Sequence, residues 1–380
     1  LAGLDGVGPA ILRAVLEAGD AAQAWARLIA GRPQAVPALS GALPRTAGSD
    51  RWDSLVRQAR SVDPAQQLAQ HRSAGIEVLT LGDPRYPVRL REDPAPAAVL
   101  FLRGSGELLD VASVAIVGTR HATRLGCDTA GALARALGER AIAVVSGLAL
   151  GIDGAAHRAV IEAVRHDPSA GRPIGVVAAG LDLAYPRRHR GLHREVGEFG
   201  ALVSEVPLGT PPARWRFPAR NRIIAGLAHA VVVVESRSAG GSLITVAEAL
   251  ARDVPVLAVP GHPSVPTAAG PLDLIADGAV PVRDVDDVLV AIGRGGLAPV
   301  TTAVCAPAPD ATPLAAAERR VLLRVVDRPR TLGQLVGSQD GSLEVVAAAL
   351  TTLEVRGLVA RSGPWFEATA AGTAHPLVRP

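Results

Sequence analysis

Positions 214 to 222 read Arg-Trp-Arg-Phe-Pro-Ala-Arg-Asn-Arg: four arginines, Trp215 and Phe217, and Asn221, the one asparagine of the sequence. No Asp or Glu lies between Glu205 and Glu235. Aromatic residues make up only 3% of the chain, so Trp and Phe set among arginines are a local concentration. Guanidinium groups fork onto phosphates and flat rings offer bases a face to stack on, a combination that suits single-stranded nucleic acid. The alternative is a buried Trp/Phe anchor ringed by solvated arginines. A second acid-free segment, Tyr185-Pro186-Arg187-Arg188-His189-Arg190 with His193 and Arg194, has the same character. Charge runs are usually solvated helix faces, but this one follows a strand end, which favours phosphate contact.

Three further motifs sit where strands should end. In Gly118-Thr119-Arg120 the glycine admits a ligand close to the backbone, Thr119 can donate a hydrogen bond and Arg120 can fork onto a phosphate. A tight strand–helix turn with an ordinary arginine would read the same way. The G-x-G-x-x-G dinucleotide fingerprint is absent, since the next glycine after Gly118 is Gly126, which argues against NAD or FAD; no cofactor is expected. Ser146-Gly147-Leu148-Ala149-Leu150-Gly151-Ile152-Asp153 takes the equivalent place after the next strand. Asp153 and His157 stand one helical turn apart, but a metal pair lacks a third ligand, and a carboxylate at a helix N-terminus explains Asp153 better. Gly240-Gly241-Ser242-Leu243-Ile244-Thr245 is a glycine turn opening a helix, suited to an anion; without a Gly-Lys-Ser/Thr ending it is no triphosphatase loop.

The elements that must position these residues are legible in outline. Apolar runs over 113–117, 142–146, 174–179, 201–204, 230–235 and 256–259 alternate with helical stretches, which predicts a parallel sheet covered by helices. The expected fold class is α/β: a Rossmann-like, doubly wound, mostly parallel sheet over 76–295, with 76–110 adding edge strands. It is flanked by a small all-helical domain over 1–75 and, past an Ala/Pro/Thr-rich linker at 296–313, by a winged-helix domain over 314–371. Gly6-Val7-Gly8 resembles the turn of a helix-hairpin-helix, although a plain packing corner fits equally, and Trp25 and Trp52 read as fillers of a small core. In the C-terminal part the helices should bury Val321, Leu322, Val325, Leu332, Leu335, Val345, Leu350 and Leu353. The third of them carries Glu344 and Glu354, which makes protein contact as good a reading as DNA contact.

Bulk properties set limits. The 380 residues are 48% hydrophobic, with net charge +3, and all 39 basic side chains of the Lys/Arg class are arginine. Any nucleic-acid site is therefore a local patch rather than a global polybasic character. Cys127 and Cys305 stand far apart and alone, so neither a disulfide framework nor a zinc site is indicated, which fits a reducing cytosol. No apolar run approaches a membrane span and no leader pattern is visible, so a cytoplasmic protein is expected. A chain that begins at Leu1 is expected to lack its native first residues.

These motifs together resemble one family. Val117-Gly118-Thr119-Arg120, the segment from Ser146 to Asp153 with His157, Gly180-Leu181-Asp182 with Tyr185-Pro186, Ser204-Glu205, the segment from Phe217 to Leu227, Gly241-Ser242-Leu243-Ile244-Thr245 and Val259-Pro260-Gly261 occur in the order seen in the bacterial DNA-processing protein A (DprA/Smf) family. The resemblance covers most of residues 80–290. It implies a cytosolic, non-enzymatic protein that binds and protects incoming single-stranded DNA, forms a homodimer and loads RecA recombinase in natural transformation and DNA recombination. It places phosphate contacts at Arg120 and Arg187 and the strand's path along the segment from Phe217 to Arg222. The expected DNA contacts are Gly118, Thr119, Arg120, Ser146, Gly147, Arg187, Arg188, Trp215, Phe217, Arg220, Asn221, Arg222, Gly241, Ser242 and Thr245. Departures are His189 where the family often has Asn, an extra small residue in Ser238-Ala239-Gly240-Gly241, Leu272 where the family tends to be polar, and an insertion near 166–173.

Two further readings bear on function. A Rossmann-like nucleotide-processing enzyme of the lysine-decarboxylase-like phosphoribohydrolase type needs a Pro-Gly-Gly-x-Gly-Thr turn followed by a glutamate; here Ala239 precedes Gly240-Gly241 and Glu248 is only loosely placed. Leu272, Leu274 and Ile275, at i, i+2 and i+3, cannot all face one narrow core seam, so part of this apolar set should form a protein interface.

Overall fold

The computed structural model describes residues 1–4, 7–17, 20–31, 48–294, 314–336, 342–362, 365–369, 372 and 375. The expected 296–313 linker, Gly6, Cys305 and the Gly363-Pro364 turn lie outside these residues. At the N-terminal end, helices α1 (Pro9–Glu17), α2 (Ala21–Ile29), α3 (Gly48–Arg60) and α4 (Pro64–Ser73) precede the first strand. Leu12, Val15, Leu28, Trp52, Leu55 and Val56 close a small core of their own, with Trp25 packed against its side.

Next come β1 (Glu77–Thr80), α5 (Val88–Arg91), β2 (Val99–Gly104), β3 (Ser113–Val117), α6 (Arg124–Gly138), β4 (Ala143–Ser146), α7 (Ile152–His166), β5 (Pro173–Val176), α8 (Arg190–Phe199), β6 (Ala201–Ser204), α9 (Arg216–Leu227), β7 (Ala230–Val233), α10 (Ser242–Leu250), β8 (Val256–Ala258), α11 (Ala269–Ala276), β9 (Val280–Pro281) and α12 (Val285–Ala291). They build one nine-stranded sheet in the order β1-β2-β6-β5-β4-β3-β7-β8-β9. β1 and β2 run antiparallel at one edge and the pairings from β6 to β9 are parallel. The strands are continuous apolar runs because both faces are covered. Alternation of side chains sorts β3: Val114 and Ile116 enter the core beneath α6, α7 and α12, whereas Ala115 and Val117 enter the one beneath α9 and α10.

Chain order reverses at β3. From there the sheet grows through β4, β5 and β6 on one side and through β7, β8 and β9 on the other. In open α/β sheets such a switch point leaves a crevice beyond the carboxyl ends of the two central strands. The segments after β3 and after β7 therefore have to face each other across it.

The last described part runs α13 (Ala316–Asp327), β10 (Arg330–Thr331), α14 (Leu332–Val336), α15 (Leu343–Val355), β11 (Val359–Ser362) and β12 (Trp365–Ala368), with strand order β10-β12-β11. Val321, Leu322, Val325, Leu335, Leu350 and Leu353 fill its core, and Leu332 packs at the margin. Val345 does not fit the expectation: it is exposed, and the adjacent Val346 takes the buried position, one step further round the helix. This unit meets the sheet domain through Glu367, whose Oε1 accepts from the backbone N–H of Arg124 at 2.8 Å. Among the described residues no helix is long and apolar enough to cross a membrane.

Candidate nucleic-acid interface

The switch-point crevice is a cavity of about 970 Å³. Gly118, Thr119 and Arg120 line it from the end of β3, Gly241, Ser242 and Thr245 from the start of α10, and Phe217, Arg220 and Asn221 from α9. These nine expected residues, distant in sequence, are brought together. The turn after β3 is held tightly: Thr119 N–H donates to Glu235 O at 2.7 Å, and a Cβ on Gly118 would lie 2.5 Å from Ile152 Cγ1 and 2.8 Å from Glu235 O. Glycine is required there by close approach. Gly151, with φ +75°, presses against the same turn; a Cβ on it would sit 2.3 Å from Thr119 O.

Arg120 is exposed, with its guanidinium carbon 5.4 Å from the Phe217 ring centroid. Tyr185, 5.6 Å from Phe217 between centroids and 44% exposed, extends the aromatic wall. Arg214 and Arg237 line the same cavity, and both are exposed. The crevice thus combines three exposed arginines with two adjoining rings. Its one acidic wall residue, Asp153, is turned inward: Oδ2 accepts from Gly147 N–H at 3.1 Å and Ala149 N–H at 3.3 Å, and burial pushes the carboxyl up while the Arg220 charge opposes. Glu235, beside the crevice, accepts from Thr123 N–H and Thr123 Oγ1 at the start of α6.

Several expected contacts are engaged within the protein. Ser146 is fully buried, its hydroxyl donating to Ile116 O at 2.7 Å. Arg220 is buried, with Nη1 donating to Gly147 O and Val176 O and Nε to Asn221 Oδ1. Burial pushes its pKa down to about 10, with nearby Asp153 acting the other way, so it stays charged. A Cβ on Gly147 would lie 2.3 Å from Arg220 Nη1, so this glycine makes room for a guanidinium rather than for a ligand. Arg222 is not in the crevice; it forms a partly buried ion pair with Glu205 and donates to Ala95 O at 2.8 Å. Ser146, Arg220 and Arg222 thus commit their polar atoms to bonds within the protein, which departs from the direct contact expected of them.

Trp215 points elsewhere. It is 51% exposed, lines a separate cavity of about 340 Å³ together with Gly3, Leu4, Val7 and Gly8, and is covered on one side by Arg216 at 4.7 Å. Of the two aromatics in the segment, Phe217 is the one in the crevice. Arg187 lies across Tyr185 from the crevice in another cavity, and Arg188 is exposed. Ser242 Oγ donates to Ser236 Oγ at 2.8 Å, and Thr245 is buried, leaving Gly241 as the open part of that turn. Leu272, Leu274 and Ile275 are each half-buried, and Leu274 packs on the core. Sequence reasoning did not single out Arg237; its signal was its place just after β7, where the fold aims residues into the crevice. His157 is buried, bonded through Nε2 to Ile174 O at 3.2 Å, and burial lowers its pKa to about 4. With Asp153 tied to backbone, the described residues contain no cluster of three or more metal-ligating side chains.

Comparison with known proteins places the chain in a family. Residues 77–293 match the family model described as DNA recombination-mediator protein A. Protein Smf of Synechocystis sp. is 31% identical over 94% of this chain and 94% of its own length. The solved structure of DNA processing protein A from Streptococcus pneumoniae is 29% identical, with a TM-score of 0.59, and the match covers 73% of this chain and 96% of that one. DNA processing protein A from Helicobacter pylori, described with a single-stranded DNA binding mode, is 25% identical with a TM-score of 0.51, over 57% of this chain and 96% of that one.

Proposed function

Because the chain belongs to the DNA recombination-mediator protein A family, we propose that it binds single-stranded DNA in the switch-point crevice, protects the incoming strand and loads RecA recombinase onto it during natural transformation and DNA recombination. One observation carries the reading: Arg120, Arg214 and Arg237 line one open cavity together with the Phe217–Tyr185 ring pair, and its carboxylate is turned inward. Cations for phosphates beside faces for bases favour a single strand, since a duplex hides the base faces. The phosphoribohydrolase alternative draws no support, because Glu248 pairs with Arg252 and does not line the crevice.

Partner contacts are proposed for α11. It presents Leu272 and Ile275 half-buried, apart from the crevice, as a face for a second copy of the chain or for RecA. A charged substitution, Ile275→Glu, should leave the circular dichroism spectrum intact while abolishing dimer sedimentation or RecA stimulation. Unfolding of the variant beside a monomeric wild type would place Ile275 in the core instead.

The direct test is a titration with single- and double-stranded oligonucleotides of one length at two salt concentrations. Single strands should bind more tightly, with a log–log salt slope on the order of −2 to −4 for three to five phosphate contacts. Equal affinity for both forms would remove the stacking role of Phe217 and Tyr185.

A further inference from the structure

Across Tyr185 from the crevice lies a second cavity of about 900 Å³. Arg103, Arg187, Arg190, His193 and Arg194 line it, and Asp182 is the one acid in its wall. Asp182 is engaged elsewhere, both carboxylate oxygens accepting from Gly209 N–H at 3.0 and 3.1 Å. Arg103 is fixed by a 3.2 Å hydrogen bond from Nη1 to Leu181 O. Arg187, Arg190 and Arg194 are exposed, and none has a hydrogen bond or ion pair through its guanidinium among the described residues.

The helix beneath sharpens the point. Arg190, His193 and Arg194 stand at i, i+3 and i+4 near the start of α8, so they share one face. The N-terminus of a helix is its positive end, and cations placed there are unfavourable. The first turn of α8 nevertheless holds no acid to offset them. His193 adds an independent sign. It is 6% exposed, and its Nε2 has no hydrogen-bond partner. Burial, and next the charge of Arg103, push its pKa down to about 4, so the ring is neutral and retains one N–H. A buried ring nitrogen without a partner is costly unless something enters the site to meet it.

We propose that this cavity is a second phosphate site, in which Arg190, Arg194 and His193 hold a phosphate group of the nucleic-acid backbone after the strand has crossed Tyr185. The choice of DNA as source rests on the crevice reading above; the phosphate chemistry does not. A free phosphate would present the same oxygens to the same donors.

The experiment follows the imidazole signal of His193 by NMR, assigned by its loss in His193→Gln, with an Arg190→Ala/Arg194→Ala double variant as control. Both arginines are exposed, so that variant should stay folded. Inorganic phosphate should shift the signal in wild type and not in the double variant. An oligothymidylate of about 12 nucleotides should shift it too, whereas one of about 4, short enough to stay in the crevice, should not. For the longer strand, the double variant should flatten the log–log salt slope by about 1.4, two contacts at roughly 0.7 each. A response to phosphate with none to a long strand that binds normally would assign the site to free phosphate and overturn the DNA source. No response to either overturns the site. If wild type binds no oligonucleotide at all, the crevice reading fails, and the phosphate arm alone still decides the cavity.

Discussion

Arg120 and Arg220 carry the same guanidinium to different ends. Arg120 stands in the open beside Phe217, so Arg120→Ala should leave the melting temperature unchanged and flatten the single-strand salt slope by about 0.7, one phosphate contact. Arg220→Ala should act through stability: it strands the carbonyls of Gly147 and Val176, at about 1–3 kcal/mol for each buried group left unpaired. Thermal unfolding of the two variants separates the roles; similar melting temperatures would mean that Arg220 is not structural. The distinction was available in the sequence, though not in the composition of the basic run. Arg220 shares one helix face with Ile223, Ile224 and Leu227, at i+3, i+4 and i+7, all buried. Arg222 was harder to read, because its partner Glu205 lies on another element and pairing between elements leaves no local pattern. His157 gives a pH prediction. Its folded pKa, about 4, lies below the ordinary value of 6.5, so on acidification the unfolded chain takes up the proton first. Stability is therefore whole above about pH 6.5 and falls as pH drops toward about 4, by roughly 3 kcal/mol for this residue. Urea midpoints should be lower at about pH 5 than at about pH 7, with a smaller difference in His157→Gln; His193, also lowered to about 4, acts in the same direction. Coincident midpoints would mean that burial does not hold these rings neutral.

At the scale of elements, the crevice depends on two interlocked turns, one after β3 and one between β4 and α7. Gly151→Ala forces a side chain into a left-handed conformation and against Thr119 O, so it should cost about 1–3 kcal/mol or more and displace the turn that carries Arg120. Gly241 is the counterpart: a Cβ there meets nothing within 4 Å. Gly241→Ala should keep wild-type stability and weaken single-strand binding, because the open space is on the ligand's side. Chemical denaturation and fluorescence anisotropy of both variants check this; a stable Gly151→Ala protein with full affinity would dissolve the interlock. The parallel strands were legible because burial on both faces makes each an unbroken apolar run, as in Ala230–Val233. The separation of Trp215 from Phe217 was not, since it depends on where α9 begins, and a start at Arg216 leaves Trp215 outside the helix, facing the N-terminal residues.

Over the whole molecule, the C-terminal unit meets the sheet domain at the start of α6, close to the crevice. Glu367 is 4% exposed and accepts from Arg124 N–H, at the start of the helix that follows the Arg120 turn. Glu367→Ala should free the C-terminal unit and raise the radius of gyration in small-angle scattering, while the sheet domain keeps its melting transition; an unchanged radius would mean that other contacts hold the unit. The feature also has a meaning for selectivity. A carboxylate delivered by the same chain meets its acceptor site at an effective concentration in roughly the millimolar range, whatever the protein concentration. Solutes at lower concentration cannot displace it by mass action. The start of α6 is thus plugged by a resident anion, and loose phosphates in solution gain no foothold there. On the proposed reading, ligand choice falls to the guanidinium groups across the cleft, which answer to a polymer that can bridge several of them at once.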